Sequence, residues 1–467
     1  MPDLVAVLVL AAGRGTRMRS ELPKVLHRAG GGTLLEHVLQ AVTGAGLAPA
    51  ATAVIAGYGL EAIRTAVASL GVQVLVQEPQ LGTGHAVRAA QNWWQAYERL
   101  LVVHGDMPLV SAATLQGLPE LQQARGAAAV LATAAPHEPR AYGRILRDAA
   151  RPERVLGIVE ATQATPEQLA IRELNAGFYC FATTPLARAL AQLGTANPHG
   201  EYYLTDTIAL LAAAGETVVA LPLADDRECL GVNDRVELAQ LDRLLRRRTV
   251  EALQRAGVTV ELPETVVIDP GVAVGADTVI EPGVQLLGST RIGAHCRIRS
   301  YSICEDALIG DHVLVRPHCV IERAQVERGA LLGPFTRLRE GARIGEGAHI
   351  GNFVEVKKSS IGRGSKANHL AYIGDATVGE GANVGAGTIT CNYDGVEKHP
   401  TTIADGAFIG SNATLVAPVE IGPGAYVAAG SVITENVPGD ALALGRARQT
   451  VKSGWVAQRR KKQAKTT

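Results

Sequence analysis

The chain has 467 residues, 47% hydrophobic but only 4% aromatic, with 51 glycines; Lys plus Arg and Asp plus Glu both number 45, so formal net charge is zero. That balance argues against a nucleic-acid footprint for the whole chain. The length predicts two or three domains, and few aromatics with many glycines suit thin β-coils better than a broad aromatic core.

Residues 1–230 alternate strand-like and helix-like runs. Val5–Leu10, Ala51–Ala56, Val72–Gln77, Leu100–Val103 and Ala127–Thr133 read as buried strands, with helices over Thr33–Ala45, Leu60–Leu70 and His85–Tyr97. This order predicts an α/β, Rossmann-like domain: a mostly parallel sheet covered on both faces, with ligands bound beyond the carboxyl ends of the strands. The first strand runs into Gly13-Arg14-Gly15-Thr16-Arg17-Met18, with Leu22-Pro23-Lys24 soon after. A glycine-rich turn brings backbone N–H groups close to phosphate oxygens, and Arg17 and Lys24 would supply charge for a triphosphate. A dinucleotide loop would need a third glycine where Met18 stands. A plain tight turn remains the alternative. Asp106 follows the strand at 100–103, where a carboxylate would face the crevice, although an Asp there is also an ordinary turn former.

Asn233–Ala256 reads as one amphipathic helix, with Val236, Leu241, Leu244, Leu245 and Leu253 on its apolar stripe. It predicts a linker, taken as 231–257. Arg246–Arg248 could be a phosphate patch, but flanking acids favour a solvated face.

From Val260 to Ile433 the period is six. Val274, Ile280, Leu286, Ile292 and Ile298 share one register. Leu332, Leu338, Ile344, Ile350 and Val356 share a second, and Ile403, Ile409, Leu415, Ile421, Val427 and Ile433 a third. Neither a helix nor an ordinary strand repeats so; a hexapeptide parallel β-helix does, and coils of this kind wind left-handed. The domain is taken as 258–448. A rigid spacer is the plain alternative. Cys391–Thr402 breaks the hexads and reads as an extended loop, a place where solenoids often bind ligands. The tail, 449–467, is polar and basic and expected to be disordered. Six cysteines without paired spacing read as reduced packing residues. No run is long enough to span a bilayer, and the N-terminus lacks a basic leader. A cytoplasmic protein without stable membrane association is expected.

Leu10-Ala11-Ala12-Gly13-x-Gly15-Thr16-Arg17-Met18 with Leu22-Pro23-Lys24 resembles the sugar-1-phosphate nucleotidylyltransferases. Gln80-Leu81-Gly82-Thr83-Gly84-His85-Ala86, joined to a hexapeptide coil, narrows the resemblance over residues 4–448. It points to the bifunctional N-acetylglucosamine-1-phosphate uridylyltransferase/glucosamine-1-phosphate N-acetyltransferase family. The resemblance implies UTP and acetyl-CoA as co-substrates, one or two Mg²⁺ ions, and a homotrimer. It implies Leu10, Ala11, Ala12, Gly13, Gln77, Gly82 and Thr83 around the nucleotide, with Arg17 and Lys24 on phosphates. Gly143, Glu160 and Asn175 would contact the N-acetylglucosamine part, and Asp106 with Asn233 would hold the metal. His104 departs from the family's usual residue before Gly105-Asp106.

In the coil, acetyl transfer to an amine needs a base. His369, in Ser365-Lys366-Ala367-Asn368-His369-Leu370-Ala371-Tyr372, is the candidate, weighed against an ordinary surface histidine. The resemblance places Arg339, Lys357 and Lys398 on the sugar phosphate, and Tyr372 and Asn383 on the sugar. It places Asn392 and Tyr393 toward sugar and acetyl-CoA, and Ala386, Ser411, Ala429 and Arg446 on acetyl-CoA. Glu340 departs from the family's proline beside Arg339, and an acid there could weaken a phosphate site.

Overall fold

The computed structural model describes residues 5–137, 142–197 and 199–464. Two compact units are present, Met1–Leu245 and Arg246–Thr467.

The first unit is built on one sheet. Its strands lie in the order Val218–Pro222, Ala129–Ala134, Leu174–Ala182, Arg99–His104, Val5–Ala11, Thr52–Ala56 and Gln73–Val76. All neighbours are parallel except Leu174–Ala182, which is antiparallel to both of its partners. The strand Val5–Ala11 is apolar throughout because both of its faces are covered. Val7, Val9 and Ala11 join one buried cluster, whereas Ala6, Leu8 and Leu10 join another. The five expected strands are present within a residue or two. The long helix expected over His85–Tyr97 is instead two, Thr83–Ala89 and Gln91–Trp94. Buried Trp94 explains the break: its indole N–H donates to the Val87 carbonyl at 2.7 Å, which a continuing helix would use for its own ladder. Thr33 caps the helix Leu34–Gly44 through a capping box with Glu36.

The helix expected as a linker runs from Arg235 to Arg255. Within the first unit, Leu241 and Leu245 bury against Met18, Ala29 and Leu34; within the second, Val250 and Leu253 join the coil's core.

The second unit is a left-handed parallel β-helix of hexapeptide repeats, with three parallel sheets of short strands. Each coil supplies one strand to each sheet. The inward aliphatics form one continuous core; Ile280, Ile298, Leu332, Leu338, Ile350 and Leu415 are fully buried. Burying each such side chain stabilises by about 1.5–3 kcal/mol relative to exposure. The three sequence registers are one structural register. Ile292 pairs with Ile309 and Ile344 with Ile361, one residue short of the regular spacing seen between Ile280 and Ile298. Corners are turned by residues with left-handed φ, and one corner is aromatic: Tyr301, His318, Phe335 and Phe353 stack with centroids 5.1–5.4 Å apart.

Two expectations in this unit are corrected. The Cys391–Thr402 insertion is a folded turn rather than an extended loop: the Asp394 carboxylate accepts from Val396 N, Glu397 N and His399 Nε2 at 2.7–2.8 Å. The tail, expected to be disordered, carries an exposed helix, Trp455–Gln463. Charge composition missed that Arg459 stacks on Trp455 one turn away, at 5.2 Å, and that Gly454 starts the helix with a left-handed φ. Among the described residues no helix is long and apolar enough to cross a membrane. None of the six cysteines forms a disulfide, and five are buried.

Candidate active sites

In the first unit, three parallel strands of the sheet end on one crevice. Val5–Ala11 delivers Ala12 and Gly13, Gln73–Val76 delivers Gln77, and Arg99–His104 delivers Asp106. A cavity of about 390 Å³ is lined by Leu10, Ala11, Ala12, Gly13, Lys24, Gln77, Gly82, Thr83 and Asp106. A second, of about 250 Å³, is lined by Gly143, Glu160, Asn175 and Asn233. The two share Thr83, His104 and Asp106. Residues expected on the nucleotide therefore gather in one cavity, residues expected on the sugar gather in the other, and Asp106 stands where they join.

Asp106 is pinned by its backbone: Gly105 N donates to Leu10 O at 2.9 Å, and Val232 N to Asp106 O at 3.1 Å. Its carboxylate is ion-paired with Lys24. Burial pushes the Asp106 pKa up, but Lys24 and His104 outweigh it and hold the carboxyl below the usual range. Burial, with Lys24 helping and Asp106 opposing, pushes His104 down toward its neutral form. Arg17 is exposed and donates from Nη2 to Asn233 Oδ1 at 2.8 Å; Arg14, rather than Arg17, lines the first cavity. Glu160 accepts from Thr205 Oγ1 at 3.0 Å, and burial raises its pKa. Asn175 is tied through its amide to Tyr179 OH at 2.7 Å, and its backbone N–H donates to Gly143 O at 2.9 Å.

Sequence reasoning missed the segment around 201–205. Gly84 N donates to Tyr202 O at 2.8 Å, and Leu204 N to Thr83 Oγ1 at 3.1 Å, so this segment clamps the Gly82–Thr83 turn. Glu201 lines the first cavity and Tyr203 and Thr205 the second. Nothing in the spacing of 201–205 signals this. Gln80 also lines the first cavity, and its place in the quoted Gln80–Ala86 motif could have flagged it.

Asp106 and Asn233 offer a carboxylate and an amide oxygen on one cavity wall, both hard donors. Among the described residues no group of three or more His, Cys, Asp or Glu could cage a metal. So sparse a protein donor set suits Mg²⁺, which takes its remaining ligands from water and phosphate. Both oxygens already hold a cation, Lys24 on one and Arg17 on the other, so the site is built for positive charge.

In the coil, His369 ends the strand Lys366–His369 of one sheet, at the corner before Tyr372 opens the strand Tyr372–Gly374 of the next. On one side of that corner, a groove of about 460 Å³ is lined by His369, Asn383, Ala386, Ser411 and Ala429. Arg446 donates to Ala429 O at 2.9 Å. Asn383, expected with the sugar set, thus shares the groove with the acetyl-CoA set. Across the next sheet, Arg339, Lys357 and Lys398 form a cationic edge. Lys398, hydrogen-bonded to Lys357 and of like charge, pushes the Lys357 pKa down; desolvation and Arg339 add to this and Asp375 opposes it. Arg339 also pairs with Glu355 at 2.8 Å. Asn392 donates to Asp375, and Tyr393 OH to Gly395 O at 2.6 Å. Glu340 is engaged by Arg323 at 3.6 Å.

Residues 7–204 match the family described as MobA-like NTP transferase domain, and residues 400–435 match bacterial transferase hexapeptide (six repeats). The chain is 52% identical over 465 residues to Bifunctional protein GlmU of an Anaeromyxobacter species, covering 98% of this chain and 94% of that protein. It is 49% identical over 461 residues to the protein of the same name from Koribacter versatilis, covering 98% of each. The match to the Solibacter usitatus protein of that name is 48% over 469 residues, covering 100% and 99%.

Proposed function

The chain belongs to the bifunctional GlmU family, and from that premise we propose how its two halves divide the chemistry. It is a two-activity transferase. One activity N-acetylates glucosamine 1-phosphate with acetyl-CoA. The other transfers uridylyl from UTP to N-acetylglucosamine 1-phosphate, releasing pyrophosphate. We assign uridylyl transfer to 1–230 and acetyl transfer to 258–448, with 231–257 between them.

The observation that carries the uridylyl assignment is the meeting of the two cavities at Asp106. A nucleotide in the first would present its α-phosphorus to a sugar phosphate oxygen entering from the second. No protein nucleophile is needed, and rate comes from positioning and charge neutralisation. Lys24 and Arg17 exchange their present carboxylate and amide partners for phosphate oxygens. Asp106 and Asn233 would hold Mg²⁺, which supplies further charge neutralisation when bound. Glu160 and Asn175 orient the N-acetylglucosamine part.

In the coil, the cationic edge of Arg339, Lys357 and Lys398 holds the sugar phosphate. The sugar's amine then lies toward His369, and acetyl-CoA lies along the groove past Ala386, Ser411 and Ala429. The amine attacks the thioester carbon, His369 takes its proton, and the thiolate leaves with that proton. The narrow coil exposes its faces, and the separation of groove and cationic edge fits a homotrimer in which a neighbour completes each site. Cysteines without disulfides and these substrates fit a cytoplasmic enzyme.

Single substitutions test the division. Asp106→Ala should stop pyrophosphate release and spare acetyl transfer, and His369→Ala should do the reverse. Loss of both activities in either folded variant would defeat it.

A further inference from the structure

An exposed histidine on a β-coil is free to rotate unless something holds it. His369 is held. Its Nδ1 lies 2.6 Å from Oδ1 of Asn352. The contact is built into the fold, because Asn352 and His369 are register partners on the adjacent parallel strands His349–Asn352 and Lys366–His369. Both close their strands at the same corner, where Phe353 and Leu370 turn the chain with left-handed φ. No motif drew attention to Asn352.

We propose that Asn352 is the positioning residue for His369, an inference that rests on the acetyl-transfer reading above. The Asn352 amide oxygen accepts the Nδ1 proton. This fixes the ring's orientation and its tautomer, leaving Nε2 bare toward the groove. Nε2 then takes the proton of the attacking amine as the N–C bond forms. As the C–S bond breaks, Nε2 returns that proton to the departing thiolate, so the ring ends as it began.

The charged and titratable groups around the ring are few. His349 opens the partner strand and is pushed toward neutral by burial first, then by Arg316, Lys366 and His369. Lys366 opens His369's own strand. Beyond the corner stand Tyr372 and Glu355, the latter engaged by Arg339. On the following coil the groove presents Asn383 and Ala386, both uncharged. Asn352 is thus a neutral partner that orients the ring without adding charge, and a carboxylate there would add it.

The test is steady-state acetyl transfer across pH 5.5–9 by the full-length protein, comparing Asn352→Leu, Asn352→Asp and His369→Ala, with uridylyl transfer by the same preparations as the fold control. Asn352→Leu should lower kcat by about 10²-fold, the scale of a misplaced reacting group, and leave KM for both substrates within about twofold. Asn352→Asp keeps the acceptor and drops the donor. It should recover most of kcat and move the acid limb of the profile to higher pH, because a carboxylate favours the protonated ring. The inference is overturned if Asn352→Leu keeps wild-type kcat while His369→Ala is inactive. It is also overturned if Leu and Asp variants are equally impaired with no shift of the limb. Wild-type acetylation by His369→Ala would remove His369 as the base, and this inference with it, whereas no acetylation by the folded wild-type protein would remove the acetyl-transfer reading itself.

Discussion

Gly82 offers a sharp test of how the nucleotide cavity is built. Its φ of 100° and ψ of 175° lie in a region that residues with a Cβ avoid. A Cβ added there would lie 2.7 Å from Tyr202 O and 2.9 Å from Glu201 Cβ, within the segment that clamps the turn. In Gly82→Ala the backbone strain alone costs about 1–3 kcal/mol. The overlap with a backbone carbonyl adds to this, because Tyr202 O is held by Gly84 N. If the turn keeps its shape, the first unit loses that stability, and its melting point falls by about 2–4 °C per kcal/mol for a unit of this size. If the turn moves, the nucleotide wall moves with it, and the same energy appears as a roughly 5- to 150-fold rise in KM for UTP. The assay is pyrophosphate release over a UTP titration, with thermal melts in parallel and acetyl transfer as the control. Wild-type KM together with a wild-type melting point would refute the reasoning.

Asp106 sets an acid limb on stability. Its carboxyl is held below the ordinary value in the fold, so it stabilises above the unfolded pKa, and that contribution is lost as pH falls through the folded one. Asp106→Asn should therefore flatten the stability profile between about pH 5 and the folded pKa, as read by urea melts; an unchanged acid limb would count against the Lys24 pairing. Chelation of divalent metal should stop uridylyl transfer and leave acetyl transfer intact, whereas equal loss of both would remove the metal from the first unit alone. Lys357 is pushed down chiefly by Lys398, so in Lys398→Ala the alkaline loss of sugar-phosphate binding should move to higher pH, measured as KM against pH; movement to lower pH would contradict the pairing. Ile350→Ala, at a fully buried position, should cost about 2–5 kcal/mol in urea unfolding of the coil, and no change would deny the continuous core.

The coil was legible because one demand, an aliphatic aimed inward at every sixth position, repeats with few exceptions. That its three registers are one was not, because coils that are one residue short, as at Ile292–Ile309, preserve the structure while shifting the spacing. The crevice around Leu10–Gly13, Lys24 and Asp106 was legible because glycine and carboxylate each follow a strand end, and the cation stands in Leu22-Pro23-Lys24 soon after the glycines. The clamp at 201–205 escaped notice because it works through backbone groups, Tyr202 O and Leu204 N, which any side chain would provide. Asn352 was hidden for a different reason: its relation to His369 exists only through register between coils. The tail helix was missed because charge composition says nothing of a single Trp455–Arg459 stack.

The most direct measurement is thiol release from acetyl-CoA with glucosamine 1-phosphate, in the absence of UTP. Release by the wild-type chain that disappears in His369→Ala, while both proteins retain uridylyl transfer, is the expected result. Equal release by His369→Ala would contradict His369 as the base, and no release from a folded wild-type protein would contradict the coil's role as the acetyl-transfer half.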